Sequence, residues 1–235
     1  MLELKKQKLL VIAPHPDDEV IGCGGLIQKI KQKAGKVYVL FLTVGDTDDF
    51  SKKRSSSESE RKLEVERVAK FLDYDDYKIA FTGNKYHLKL DILGQKALMD
   101  VIERENSVSI EKIKPNIVAF PSFSSYNQDH RLAAYAAHAS LRTSSKEKHF
   151  VNTVISYECP ADFWTITQKS QINCFLPFSK DEFDKKIEAL KLYSSQWREY
   201  PSSRSQKTLT ALALLRGSEC NCEFAEGFSL YREIF

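Results

Sequence analysis

The chain of 235 residues has no long apolar run. Its first stretch, MLELKKQKLLVIAPHPDDE, reaches only about five consecutive apolar residues before proline and charge intervene, too few for a signal peptide's apolar segment or a membrane span. No surplus of one charge exists either. Against 35 basic side chains stand 32 acidic ones, leaving +3, which excludes the focused positive field of a typical nucleic-acid binder. A disulfide framework is also missing: Cys23, Cys159, Cys174, Cys220 and Cys222 are odd in number and scattered, as suits reduced thiols in the cytoplasm. There is no internal repeat, no obvious linker, and no low-complexity segment beyond one Ser/Lys-rich loop. What remains is the expectation of a soluble, cytoplasmic protein whose 42% hydrophobic content builds one globular domain over 1–235, with neither a nucleic-acid partner nor a transmembrane segment.

Apolar runs and helical periodicities alternate along that domain. KLLVIAP reads as a buried strand, GGLIQKIKQKAG as an amphipathic helix closing on Gly35, and KVYVLFLTVGD as a second buried strand, which together form a βαβ unit. The polar stretch TDDFSKKRSSSESE that follows is too long for an ordinary connector and reads as a mobile segment or a functional lid. SERKLEVERVAKFLDY is expected to be a helix with Leu63, Val68, Phe71 and Leu72 on one face. Further on, YKIAFTG, KPNIVAFPS and KHFVNTVISYECP read as strands, and LGQKALMDVIERENS, DHRLAAYAAHASLR, KDEFDKKIEALKLYSSQW and KTLTALALLRGS as helices. The pattern predicts an α/β fold: a single Rossmann-like domain, its sheet mostly parallel, with helices on both faces.

In open α/β sheets, ligands bind beyond the carboxyl ends of the strands. Two polar clusters fall there: HPDDE after the first strand, and NQDH, Asn127 to His130, after NIVAFPS. Three acids in a row repel one another, and a turn needs at most one of them. A divalent metal would explain them, because a catalytic zinc site takes three ligands from His nitrogen and carboxylate oxygen and keeps a fourth position for water. His15, Asp18 and His130 supply such a set, and two His with one carboxylate suit Zn²⁺ or Fe²⁺. Asp17 is left over beside them as the general base. Asp129 either holds a ring N–H of a ligand or tunes Asp17.

Each cluster alone has an ordinary explanation, since acids favour the positive end of a helix dipole and a histidine at a helix start is commonly a surface residue. Two clusters at matching strand ends favour the site. Gly22, Gly24 and Gly25 do not make a dinucleotide loop, because GCGG is not G-x-G-x-x-G and acids stand where a pyrophosphate would sit. They read instead as points of close helix–sheet packing, and the CNC at 220 to 222 reads as incidental.

APHPDDEVIGCGG resembles the signature that opens the PIG-L deacetylase (LmbE-like) family, and NQDH resembles that family's second metal motif. TVGD, RKLEVERVAKFLD, SYECP, KIEALKLYSSQ, LRGS and FAEGF follow in the family's order, so the resemblance covers nearly the whole chain. It implies a Rossmann-like, zinc-dependent N-deacetylase acting on N-acetylglucosamine-type sugars and related small glycoconjugates, with His15, Asp18 and His130 as ligands and Asp17 as base. Arg61 then reaches a substrate hydroxyl or phosphate, or is merely an exposed helix-start arginine. Glu226 and Arg216 either help close the site on substrate or form a buried ion pair in a packed terminal strand.

Two departures from the family pattern stand out. Many relatives carry histidine where this chain has Asn127, which can donate to an oxyanion but cannot deliver a proton. Asp17 then performs both proton transfers, or another group assists. The second is Asp73, which closes its helix where glycine is usual. A hydrolase of another amide or carbamoyl substrate, a metal- or sugar-binding protein without activity, and a nucleotide-dependent oxidoreductase are the competing expectations; the acidic turn argues against the last, and Asp17 against the second.

Overall fold

Strand β1, Lys8–Ala13, shows how the apolar runs are used: Leu9, Val11 and Ala13 face one buried cluster, Leu10 and Ile12 the other. A strand covered on both faces has no need of polar alternation. The computed structural model describes residues 4–48, 55–143, 146–166 and 168–234. In order they form β1, α1 (Asp18–Gln32), β2 (Lys36–Val44), α2 (Glu58–Phe71), β3 (Asp76–Thr82), α3 (Gly94–Glu103), α4 (Ile110–Ile113), β4 (Ile117–Pro121), α5 (Gln128–Ser140), β5 (Thr153–Tyr157), β6 (Cys174–Phe178), α6 (Lys180–Leu192), α7 (Gln206–Glu219) and β7 (Phe224–Arg232).

One seven-stranded sheet results, in the order β3-β2-β1-β4-β5-β7-β6. The five strands from β3 to β5 pair in parallel, whereas β7 runs antiparallel to both β5 and β6. The expected α/β class and mostly parallel sheet are therefore found, with an antiparallel edge. Helices α1, α2, α6 and α7 contribute to one cluster, and α3 and α5 to the other. Chain order turns outward in opposite directions from β1 and β4, so the crevice beyond their carboxyl ends is the switch point of the sheet.

Several local expectations are revised. In α2 the buried face is Arg61, Glu64, Val65, Val68 and Ala69, while Leu63 and Phe71 are exposed. Of the four residues expected on one face, Val68 and Leu72 are buried as expected; Leu63 and Phe71 are not, because Arg61 and Glu64 share the buried face instead. The strand expected from Lys148 begins only at Thr153. Asp73 does end its helix in the left-handed region, with φ 56°. The suggested lid at 47–58 lies partly outside the described residues; at its two ends Thr47 and Ser56 pair in an antiparallel bridge. No helix among the described residues is long and apolar enough to cross a membrane.

Candidate metal centre

The chain leaves β1 through Pro14 and Pro16, which prevent the strand from continuing, and enters α1 at Asp18. Leaving β4 through Pro121, it enters α5 at Gln128 with Asn127 as the N-cap, whose Oδ1 accepts from the Asp129 N–H at 2.9 Å. These two helix starts face each other across the switch point. Among the described residues His15, Asp18 and His130 form the one group able to hold a metal ion, their ligand atoms lying within 4.8 Å of one another.

Asp18 Oδ2 is the centre of this group. It lies 3.4 Å from His15 Nδ1 and 3.2 Å from His130 Nε2, and it accepts the His15 backbone N–H at 3.0 Å. Burial alone would raise the Asp18 pKa, but the two imidazoles hold it well below the usual carboxylate range. The other ring nitrogen of His15, Nε2, donates to Asp129 Oδ2 at 3.0 Å, while Asp129 Oδ1 accepts from the Leu90 N–H at 3.0 Å. Of the two roles open to Asp129, the structure thus selects the one that fixes a ring. Burial lowers the His15 pKa, yet the bonds to Asp129 and Asp18 outweigh it and lift it to about 9. His130 Nδ1 is buried with no hydrogen-bond partner.

Two imidazoles and a carboxylate converging, with one ring oriented by a second carboxylate, fit a divalent cation. Asp129→Asn is expected to weaken metal affinity about 10–100-fold, because the amide no longer accepts from His15 as a charged group does. Titration with zinc against a competing chelator reads this directly, and an unchanged constant would show that the Asp129 bond does not orient the ligand.

Asp17 is the N-cap residue of α1, yet its carboxylate caps nothing. Both its oxygens are buried without a hydrogen bond, and the nearest counter-charge is Arg204 Nε, 3.3 Å from Oδ2. An acid that merely decorated a helix dipole would be solvated or bonded to a free N–H. Burial raises the Asp17 pKa; Arg204 works against that rise, Asp18 adds to it and Arg61 opposes it. Its backbone is in the left-handed region at φ 110°.

Glu19, the third acid, has a different task. It is wholly buried, Oε1 accepting from Tyr193 Oη at 2.6 Å and Tyr74 Oη at 3.2 Å, and Oε2 from the Asp17 N–H at 3.1 Å. Burial raises its pKa to about 8 against those donors. It thereby anchors the strained turn to α6 and to the end of α2.

His15, Asp17, Asp18, Asn127, Asp129 and His130 are brought together as expected. Glu226 is not: it lies 5% exposed in β7, spending its carboxylate on the N–H groups of Gly25 (2.6 Å) and Leu26 (2.9 Å) and on Lys186 Nζ (2.7 Å). Arg216 is likewise engaged, bidentate on Glu158 at 2.6 and 2.7 Å. Arg61 is 2% exposed and donates through Nη2 to the Pro16 carbonyl at 2.9 Å, so it braces the HPDDE turn.

Sequence reasoning missed Arg204, which lines the pocket with Asp18, Asn127 and His130, and also an adjoining recess with Asp17, Tyr193 and Trp197. Nothing in YPSSRS signals it. His87 was missed too, though scarcity hinted at it: of five histidines, three meet here, with His87 edge-on to His15 at 5.2 Å between centroids. Burial, with His15 and Arg61 nearby, lowers the His87 pKa to about 3, leaving a neutral ring between Thr43 (3.3 Å) and Thr47 (3.1 Å).

Comparison with known proteins points the same way. The family model described as GlcNAc-PI de-N-acetylase matches residues 10–141. The chain is similar to the diacetylchitobiose deacetylase of Thermococcus kodakarensis, 27% identical over 97% of this chain and 85% of that one. It is also similar to a probable N-acetyl-alpha-D-glucosaminyl L-malate deacetylase of Bacillus subtilis, 30% identical over 60% of this chain and 64% of the relative. The solved N,N′-diacetylchitobiose deacetylase of Pyrococcus horikoshii, held with an inhibitor, shares the fold at a TM-score of 0.72 and 21% identity, covering 96% of this chain and 84% of that one.

Proposed function

The chain belongs to the GlcNAc-PI de-N-acetylase family, and from that membership and the geometry of the site we propose that it is an amidohydrolase removing the acetyl group from an N-acetylated amino sugar or a related small glycoconjugate. The observation that carries this reading is Asp17: a buried carboxylate without a hydrogen bond, next in sequence to one metal-ligand candidate and one residue removed from another. A protein that only binds has no use for such a group.

His15, Asp18 and His130 would hold the cation, with zinc favoured by the His₂-carboxylate set and ferrous iron also compatible. When bound, a divalent ion supplies Lewis acidity toward the amide carbonyl and a water of lowered pKa. Asp17 takes the proton of the attacking water on a carboxylate oxygen and returns it to the nitrogen of the departing amine, so that amide and water become amine and acetate. Asn127, whose Oδ1 is committed to the helix cap, presents its NH₂ as a donor to the oxyanion. Arg204 keeps a positive charge beside Asp17. We place this activity in a single unit spanning 1–235 in the reducing cytoplasm, where five free cysteines are at home.

Protein purified without chelator is expected to contain about one zinc or iron per chain by elemental analysis, and to release acetate from at least one member of a panel of N-acetylated sugars. Metal with no acetate from any member would turn the reading toward another acyl group. Absence of metal even after zinc addition would remove the site.

A further inference from the structure

The CNC of 220 to 222 is not incidental in the fold. At the end of α7 the chain turns through Asn221, in the left-handed region at φ 58°, and enters β7 at Phe224. That turn brings the side chains of Cys220 and Cys222 together, with their Sγ atoms 3.2 Å apart. We propose that the pair is a thiol–disulfide exchange site, which takes a low-molecular-weight disulfide as co-reactant and closes into an intramolecular bridge. This reactivity is independent of the deacetylase reading.

The backbone enforces the meeting of the two sulfurs. The Cys220 and Cys222 N–H groups both donate to the Gly217 carbonyl, at 3.1 and 3.0 Å. A Cβ on Gly217 would stand 2.3 Å from the Glu223 carbonyl oxygen, so glycine is what lets the turn fold back this closely on its own helix. Each sulfur is also anchored at a carbonyl: Cys220 Sγ donates to that of Arg216 at 3.4 Å, and Cys222 Sγ to that of Phe224 at 3.2 Å. Forming an S–S bond of about 2.05 Å asks the sulfurs to approach by about 1 Å.

Accessibility separates this pair from the other thiols. Cys23 and Cys159 are buried, and burial pushes both thiols well above the usual range, where they stay protonated and inert. Cys174 is half-buried on β6, where no second cysteine neighbours it in sequence. Cys220 and Cys222 are half-buried on either side of the exposed Asn221. Burial and the contact with Cys222 push the Cys220 thiol up to about 11, which leaves the first attack to Cys222.

Cys222 Sγ, its proton lost to solvent, attacks one sulfur of the external disulfide. That S–S bond breaks, a mixed disulfide forms on Cys222, and the first external thiolate leaves and takes up a proton. The mixed disulfide leaves Cys220 without a neighbouring thiol to bond. Cys220 then gives up its own proton and attacks Cys222 Sγ, breaking the mixed bond and releasing the second external thiol. Two protein thiols are oxidised to one disulfide, and one external disulfide is reduced to two thiols. An exposed bridge of this kind is labile, so the pair stays reduced where thiols prevail and closes when disulfides accumulate.

The test treats the full folded chain with bis(hydroxyethyl) disulfide, a neutral probe suited to a pair flanked by Glu219 and Glu223. Remaining thiols are blocked with N-ethylmaleimide and tryptic peptides are mapped by mass. The peptide from Gly217 to Arg232 holds Cys220 and Cys222 and no other cysteine. It is expected to lose both alkylatable thiols together, to become lighter by two hydrogens, and to regain both thiols with excess mercaptoethanol. Cys220→Ser and Cys222→Ser are each expected to stop at the mixed disulfide, the second about tenfold more slowly because the remaining thiol is the protonated one. Phenylarsine oxide, whose trivalent arsenic joins two thiols with loss of water and no change of oxidation state, should bind the wild type through this peptide and neither variant. That measurement on the wild type keeps the proximity of the thiols testable where a variant fails to fold. A mixed disulfide that persists on the wild-type peptide would overturn the site. So would full alkylation of both thiols under excess disulfide, or a bridge that forms only in protein unfolded by urea.

Discussion

Asp17→Asn is expected to retain its metal and to lose about 10²-fold or more in kcat. The exchange keeps the shape of the side chain and removes only its capacity to accept a proton, at a position where neither oxygen serves a structural hydrogen bond. KM should change little, because the amide remains beside Arg204 and the ligand set His15, Asp18 and His130 is untouched. Steady-state kinetics paired with elemental analysis on the same preparation separate the two roles. Turnover near that of the wild type would take proton transfer away from Asp17, and loss of the metal would make it a structural support of the ligand turn.

The largest expected loss of stability comes from β7, far along the sequence from α1. Glu226→Ala should lower the unfolding free energy by about 3–5 kcal/mol, the usual consequence of leaving a buried charge without its partner. Lys186, 5% exposed, would keep only the Ile21 carbonyl at 2.7 Å. In a regular helix the Gly25 N–H and the Ile21 carbonyl serve each other; here the Lys186–Glu226 pair engages both halves of that bond. Urea denaturation measures the loss, and a shift below about 1 kcal/mol would mean that water or rearrangement replaces the pair. A double variant, Glu226→Leu with Lys186→Met, should be less destabilised than Glu226→Ala, since no charge is stranded.

That ion pair also explains two of the three glycines, and Tyr157 the third. A Cβ on Gly24 would stand 2.8 Å from Lys186 Cγ, one on Gly25 3.0 Å from Glu226 Oε2, and one on Gly22 2.1 Å from a ring carbon of Tyr157. The expected close helix–sheet packing was the right reason, and the structure supplies the particular side chains that need the room. Their identity was not legible, because they lie more than 130 residues away from the motif they fit.

The same limit separates what was read from what was missed elsewhere. Buried strands and helix periods are local signals, so β1 to β5 and the ligand set at two strand ends could be argued from residue types and position. β6 could not: CFLPF is short, carries Pro177, and lies at the edge of the sheet, where proline is tolerated and the run is not buried. For Glu226 the expected buried ion pair is the alternative found, with Lys186 as its partner, whereas Arg61 is neither exposed nor wholly satisfied: Nη2 reaches the Pro16 carbonyl while Nε is buried without a hydrogen bond. Arg204 joins the site only through the packing of an irregular segment, for which sequence has no period to offer.

The left-handed backbone of Asp17 has a consequence for how far this fold can be stabilised. At φ 110° a residue with a Cβ is held against its own preference, at a cost of about 1–3 kcal/mol that the surrounding structure must overcome. Glycine would relax that turn, and selection for thermal resistance alone would tend to install it. With Asp17 in its proposed role as base, stability and activity ask for different residues at this one position. Efforts to harden the protein should therefore work on its edges and leave this turn strained.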